Sequence, residues 1–428
     1  MYGLFNDSFQ PAVDGVGTVV YNNAIQMYRM GRDVHVVVPY SKGEPELPEP
    51  FPVTRIPSVP VPPRPPYSVG LPFIPTSASR EVYHLPFDLI HCHAPFTTGR
   101  MGRVIARRRD IPFIASFRSK YWDDFYGATK SRFLSHLAKD WIMEFYRHAD
   151  QVWITDESIL ETMHEYGFRE KRGQIAVVPN GVETVSEDWS VLRERKRREL
   201  GLDDATPLFL FVGQQIRIKN IGMILDSLAL LGDRKFLFYS LGSGVARGKF
   251  IEKAKSLGLQ DRAIFPGAIN DRTELFSYYA AADLFLFPSL YDTYGNVIRE
   301  AALMHTPSLL LEGTTCAAPF QDGVNAFIAR QNDPHVYAEK IIETIRDVEG
   351  RQRVADRIPH TISRTWEDVV GEVVDRYDQL IAHHESRGRS RLRREVKSAI
   401  IQKDFSNSCY IGQRKFVSLR IERDQSLQ

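Results

Sequence analysis

Two doubly wound α/β halves facing a cleft are the fold class that the sequence predicts, and three observations predict it. Short apolar runs alternate with helical patterns twice over, from residue 2 to about 180 and again from 208 to about 348, which is the signature of βαβ units. Glycine-bearing loops follow several of the apolar runs, where the ligand crevice of an open parallel sheet lies. A charged stretch at 192–200, holding Arg193, Arg195, Lys196, Arg197 and Arg198, separates the halves.

The bounds agree. A chain of 428 residues, 43% hydrophobic and 25% charged, suffices for two or three domains and does not read as disordered. No apolar run approaches the roughly 20 residues that span a bilayer. The start, MYGLFNDSF, carries neither a basic region nor a long apolar core, so the expectation is a cytoplasmic protein, at most peripheral at the inner face of a membrane. Cys92, Cys316 and Cys409 lie far apart without metal-ligand spacing, and no metal site is expected. The net charge of +2 hides an asymmetry: residues 385–428 hold 11 Lys/Arg against 5 Asp/Glu, +6 in all, which leaves the first 384 residues at −4. By charge alone such a tail suits anionic lipid, nucleic acid or an acidic partner, or is a solvated extension.

In order, a strand at 2–5 leads through a loop with Asp14, Gly15, Val16 and Gly17 to a helix at about 18–30 and a strand at 34–38. The glycines would let backbone N–H groups approach a ligand, although a plain tight turn needs them too. Residues 45–75 hold 12 of the 25 prolines, which excludes helix and central strand and reads as a surface excursion displaying Phe51, Tyr67 and Phe73. Next come a strand at 88–91, a loop at 93–99, a helix at 100–109 with Arg103, Arg107, Arg108 and Arg109 on its far part, and a strand at 112–116. His93 and Arg118 thus follow two successive strands and become site candidates. The helix at 131–148 carries Trp141, Phe145 and Tyr146, assigned to core. A strand, a capped helix stopped by Gly167 and the strand of IAVVPNGV close the half at Asn180 and Gly181.

The second half begins with a strand at 208–212 and a loop presenting Gly213, Arg217 and Lys219, fit for a diphosphate, with the lysine as a point charge and the arginine as a fork. Its centre is ADLFLFPSLYDTYGNVIREAALMHTP. An apolar strand at 284–287 runs into a polar loop and then a helix beginning near Gly295, a strand-to-helix turn that makes an anion site from free N–H groups and the helix dipole. Asp292 and Glu300, with seven residues between them, flank Gly295 and Asn296. A strand at 308–311, a helix at 334–348 and a last helix from Trp366 to about 384 complete the chain.

With these residues in view the chain resembles the retaining glycosyltransferases of family 4, over about residues 3–384. DGVG, DLIHCHAPF, IAVVPNGVE, FVGQQIRIKN, SYYAAADLFLFPSLYDTYGNVIREAA and TWEDVV carry the likeness, in that order. It implies the GT-B fold, two Rossmann-like domains: an acceptor-binding domain at 1–182, a nucleotide-sugar domain at 183–365, a helix at 366–384 returning to the first domain, and the basic tail at 385–428. It implies that Glu300 holds the ribose, Asp292 touches a sugar hydroxyl, Lys219 neutralises the leaving diphosphate, His93 lies near the reacting carbon, and Gly15 with Gly17 lines the phosphates. Gly213, Arg217, Gly295 and Asn296 complete the donor side, with Arg118, Lys120 and Tyr121 towards the acceptor.

The chain departs from the family pattern in four places. Asp292 stands where the family has Glu, Gln214 where it has Arg, Arg118 where relatives often carry His, and His305 where they often have Gly. The resemblance further implies hexose transfer without metal or cofactor from a nucleotide sugar, with UDP-glucose the expected donor; the residues themselves do not resolve glucose from mannose or galactose, nor UDP from GDP. Its SKYWDDF segment, proline-rich loop, arginine-rich helix and tail look like those of members that glucosylate diacylglycerol at an anionic membrane surface. A soluble or polyprenyl-linked glycan acceptor, and a non-catalytic sugar-nucleotide binder, are the alternatives; nucleic acid is not among the expected partners.

Overall fold

The computed structural model describes residues 1–10, 15–41, 49–61, 68–119, 121–122, 126, 130–290, 292, 294–362 and 364–387. The chain divides into a unit Met1–Val374, which contains both large sheets, and a second unit Asp375–Gln428. The strands in chain order are β1 (Tyr2–Phe5), β2 (Val34–Pro39), β3 (Val53–Ile56), β4 (Ser58–Pro60), β5 (Ser68–Gly70), β6 (Leu89–Cys92), β7 (Phe113–Ser116), β8 (Gln151–Ile154) and β9 (Ile175–Val177). In the second half they are β10 (Leu208–Val212), β11 (Leu237–Leu241), β12 (Ala263–Gly267), β13 (Leu284–Leu286), β14 (Ser308–Leu311) and β15 (Phe327–Ala329).

The first sheet has the order β3-β2-β1-β6-β7-β8-β9 and the second β12-β11-β10-β13-β14-β15, both parallel throughout. Each order runs outward from a central strand and then reverses, so each sheet has one switch point, at β1/β6 and at β10/β13. Helices on both faces explain why the central strands read as unbroken apolar runs: β1, β2, β6, β7, β10 and β14 are buried at every position. His35 and His91 interrupt those runs, and each meets a hydroxyl on the neighbouring strand, Thr54 at 2.8 Å and Ser116 at 2.7 Å. Caps set several helix starts: the Ser131 side chain accepts from Leu134 N, Asp271 from Glu274 N, and Asp333 precedes Pro334 at the first helical position.

Several expectations shift. The first helix is Gly15–Arg29, so Gly15 and Gly17 lie in its first turn rather than in a loop. The proline-rich excursion contributes β3 as an edge strand, where proline is tolerated, and the two-stranded β4/β5 ribbon. Phe51 is buried against Tyr21 rather than displayed, while Phe73 is exposed; Tyr67 lies outside the described residues. Trp141 is not core: it is exposed, with the Arg100 guanidinium 3.6 Å above its ring. Arg103 and Arg109 do not form a solvated row. Arg103 pairs with Glu144 at 2.8 Å, and Arg109 donates to the carbonyls of Tyr83 and Leu85. The charged stretch between the halves is a helix, Trp189–Glu199, whose Arg193 and Arg197 both hold Asp283 at the start of β13.

A further helix, Val348–Ile362, was not expected and carries Pro359 inside it. The last described helix runs over 366–387, and its start returns to the first half. Val182 N donates to Arg364 O at 2.8 Å, and Trp366 N donates to Val182 O at 3.3 Å. Gly181 is obligatory there, because a Cβ would lie 2.5 Å from the Trp366 Cα. Residues 388–428 are outside the described set, and the expected tail with them.

Candidate active site

Ligands of open parallel sheets bind beyond the carboxyl ends of the strands at a switch point, and the candidate residues gather at both. After β10 the chain turns through Gly213 and Gln214 to a single 3-10 turn, Arg217–Lys219; after β13 it runs through Phe287 and Pro288 towards Asp292. Leu290 N donates to Ile218 O at 3.3 Å, and the Asn220 amide donates to Pro288 O at 3.3 Å, so the two loops are laced together. Lys219 Nζ therefore meets both oxygens of Asp292, at 2.5 and 2.7 Å, with 11% and 20% of the two side chains exposed. Arg217, on the same turn, is exposed.

Gly295 caps the helix Asn296–Leu303 with φ 66°, in the left-handed region that glycine enters without steric cost. This helix start follows Asp292 in the chain, and a helix start leaves its first N–H groups without partners along the helix itself. Arg299 adds a buried guanidinium, stacked 3.3 Å from the Tyr294 ring and donating to Tyr294 O. His305 ends this helix with φ 58° and stacks on Trp189 at 4.4 Å between centroids. That φ lies in the left-handed region, which favours glycine, and the stacking offsets part of the strain.

Glu300 lies one turn inside the helix, where both its oxygens are engaged: Oε1 accepts from Arg272 at 2.7 Å, Oε2 from the Tyr279 hydroxyl at 2.9 Å. Burial and then Glu300 push the Tyr279 phenol well above its ordinary pKa, so it stays a donor.

At the first switch point, Asp7 follows β1 and His93 follows β6. Asp7 Oδ1 accepts from Thr98 N at 2.9 Å and from the Thr97 hydroxyl at 3.3 Å, capping the helix Thr97–Arg109, and burial raises its pKa. His93 is fully buried and stacked on His91, with centroids 4.0 Å apart. Neither of its ring nitrogens has a hydrogen-bond partner among the described residues. Burial first, then His91 and Arg118, hold its pKa well below the ordinary histidine value, so the ring is neutral. Two buried, unmatched imidazole nitrogens at a switch point are polar groups awaiting a ligand, since leaving them unpaired costs stability.

Arg118 Nη1 donates to Asn180 Oδ1 at 2.6 Å, and the Asn180 amide donates to Asn296 Oδ1 at 2.9 Å. Tyr294 OH reaches Asn180 O at 3.3 Å. This chain of contacts joins the edge of the first sheet to the helix start of the second. Tyr121 lies in the aromatic core, its hydroxyl 3.0 Å from that of Tyr146, and Lys120 falls outside the described residues. Gly15 and Gly17 sit at the start of their helix.

Of the expected donor residues, Lys219 and Asp292 pair directly, and Gly295 and Asn296 form the helix start that follows them. Asn180, Arg272, Tyr279, Asp7 and Arg299 were not among the expected residues; Asn180, Tyr279 and Arg299 lie inside the quoted motifs, while Arg272 and Asp7 do not. Among the described residues no group of three or more His, Cys, Asp or Glu is arranged to hold a metal ion, and no helix is long and apolar enough to cross a membrane.

Two parallel Rossmann-like sheets, with polar loops at both switch points, define the GT-B glycosyltransferase class. Comparison with known proteins agrees. Residues 13–186 match the model of Glycosyltransferase Family 4, and residues 193–360 match that of Glycosyl transferases group 1. Among curated relatives, the alpha-monoglucosyldiacylglycerol synthase of Streptococcus pneumoniae is 28% identical over 71% of this chain and 69% of its own length. A D-inositol 3-phosphate glycosyltransferase of Nocardiopsis dassonvillei is 29% identical over 68% and 70%. Among solved structures, Anabaena Alr3699/HepE in complex with UDP and glucose superposes with a TM-score of 0.69 at 16% identity, over 88% of this chain and 98% of that one. Sucrose-phosphate synthase of Thermosynechococcus elongatus gives 0.72 at 19% identity, over 89% and 99%. Both halves thus match glycosyltransferase models, Glycosyltransferase Family 4 in the first and Glycosyl transferases group 1 in the second, and the chain is a hexosyltransferase.

Proposed function

We propose that this hexosyltransferase moves glucose from UDP-glucose to the hydroxyl of a membrane lipid of the diacylglycerol kind, with retention at the anomeric carbon. The observation that carries the donor half is the Lys219–Asp292 pair, with the helix start at Gly295 and Asn296 following it in the chain. A diphosphate seated on that helix start draws Lys219 from Asp292 onto its own oxygens and leaves Asp292 to accept from a sugar hydroxyl. Backbone N–H groups and an ammonium aimed at the departing diphosphate are donors placed where negative charge develops.

The acceptor hydroxyl attacks on the face that the diphosphate leaves. The bond between the anomeric carbon and the diphosphate oxygen breaks, the new glycosidic bond forms, and a phosphate oxygen of the leaving group takes the hydroxyl proton. His93, neutral and with free nitrogens, hydrogen-bonds the sugar near the reacting carbon, and Glu300 holds the ribose. The route uses no metal and no further cofactor.

Support for a lipid acceptor comes from the helix Arg132–Arg147. Phe133, Leu134, Leu137 and Trp141 stand on it 71%, 50%, 53% and 43% exposed, at helical spacing. Arg132 and His136 share the exposed face. An apolar stripe with an arginine at its head suits the interface of an anionic bilayer. The alpha-monoglucosyldiacylglycerol synthases among the relatives act in the same sense. A second reading, a soluble phosphorylated acceptor, is favoured by the D-inositol 3-phosphate glycosyltransferases among them. Purified chain supplied with a panel of nucleotide sugars, and with diacylglycerol vesicles or soluble acceptors, separates the two. Glucolipid formed from UDP-glucose supports the proposal; transfer to the soluble acceptors alone replaces it with the second reading.

A further inference from the structure

Arg272 opens the helix Arg272–Ala281 directly after its Asp271 cap, and its guanidinium spans two carboxylates distant in sequence. Its Nε meets Glu183, and its Nη2 donates to Glu300 Oε1 at 2.7 Å. Two turns along the same helix, Tyr279 donates to Glu300 Oε2 at 2.9 Å. A carboxylate offers about four lone-pair sites, so these two donors fix its plane and leave about two for a diol. The planar fork of arginine suits this double duty, which a lysine ammonium could not reproduce. Burial disfavours the Arg272 charge, but Glu300 and then Glu183 outweigh it and raise its pKa.

Glu183 is no incidental partner. It directly follows Val182, whose N–H bonds Arg364 O and whose carbonyl accepts from Trp366 N, at the place where the chain crosses back to the first half. Gly181 packs on Trp366 too closely for any side chain, so Glu183 leaves from a fixed point. We propose that Arg272, anchored by Glu183, is a positioning residue that holds Glu300 for the ribose diol of the nucleotide and ties that carboxylate to the crossing between the halves. The inference rests on the nucleotide-sugar reading given above.

The test titrates the full chain calorimetrically with UDP, GDP and ADP, then with the 2′-deoxy form of whichever binds. The wild-type chain should prefer the ribonucleotide by about tenfold, the worth of one hydrogen bond to a charged group. Arg272→Met should lose most of that preference while keeping affinity for the 2′-deoxy form within about twofold. Glu183→Gln, which leaves Arg272 in place without its anchor, should lose part of it. A general loss of structure would instead weaken both nucleotides equally. A wild-type chain without ribose preference, or an unchanged preference in Arg272→Met, overturns the inference while the nucleotide reading stands. A wild-type chain that binds none of the three diphosphates overturns both. If Arg272→Met does not fold, Glu183→Gln carries the test with the same two results.

Discussion

A lysine ammonium 2.5 Å from a carboxylate, as at Lys219 and Asp292, is a pair that an arriving diphosphate can part. The two side chains stand 11% and 20% exposed, so a ligand can reach both. Lys219→Ala should lower turnover by about a hundredfold or more, the order found when one donor to a developing anion is removed, with the melting temperature little changed. Unaltered turnover would remove Lys219 from the mechanism. Asp292→Asn should bind the nucleoside diphosphate at least as tightly while transferring sugar more slowly, a split readable by comparing binding with kcat.

The stacked imidazoles make a separate prediction. Burial lowers the pKa of both His91 and His93, with Arg118 adding to it. Below about pH 6.5 the unfolded chain takes up protons at these residues that the folded chain refuses. Stability is therefore complete above that pH and is lost as pH falls through it. Melting curves at pH 7.5 and 5.5 should show a smaller acid loss for His93→Gln than for the natural chain; equal losses would contradict the assignment.

At the scale of the element, the parallel strands were the most legible part of the sequence. The expected bounds of 208–212 and 308–311 match β10 and β14, since a strand covered on both faces must be apolar at nearly every position. Loops at strand ends were legible for the same reason, which is how Lys219 and Gly295 were found. What was not legible depended on partners remote in sequence. Phe51 is buried because Tyr21 lies over it, and Trp141 is exposed although its helical neighbours Phe145 and Tyr146 are core. Arg272 meets Glu183 and Glu300 across 89 and 28 residues, and no local pattern marks such a pairing. The helix Val348–Ile362 was hidden by Gly350 and Pro359.

The helix Arg132–Arg147 bears a prediction of its own. Phe133→Ser with Leu137→Ser removes two exposed apolar side chains, each worth about 1.5–3 kcal/mol if buried in a bilayer interface. Co-sedimentation with anionic vesicles should fall tenfold or more while transfer to detergent-dispersed acceptor persists. Undiminished sedimentation would place the membrane contact elsewhere. At the crossing, Gly181→Ala would press a methyl group into the Trp366 backbone and should destabilise the chain by about 2 kcal/mol or more. A melting temperature equal to that of the natural chain would show that the crossing yields.

Across the whole molecule, the two switch points are joined by the contacts from Arg118 through Asn180 to Asn296. The Lys219–Asp292 loop at β10/β13 is thereby linked to the edge of the first sheet, with Arg118 supplying a guanidinium to that link. The fold class and the family were readable from the order of motifs. The acceptor was not, because no strand-end motif marks it and the proposed lipid contact rests on exposed side chains of one helix. The most direct measurement is transfer of labelled glucose from UDP-glucose by the purified chain to diacylglycerol in vesicles containing anionic lipid. Labelled glucolipid, lost in Lys219→Ala, is the predicted result; no lipid-linked label, with label instead on soluble acceptors or released to water, would contradict it.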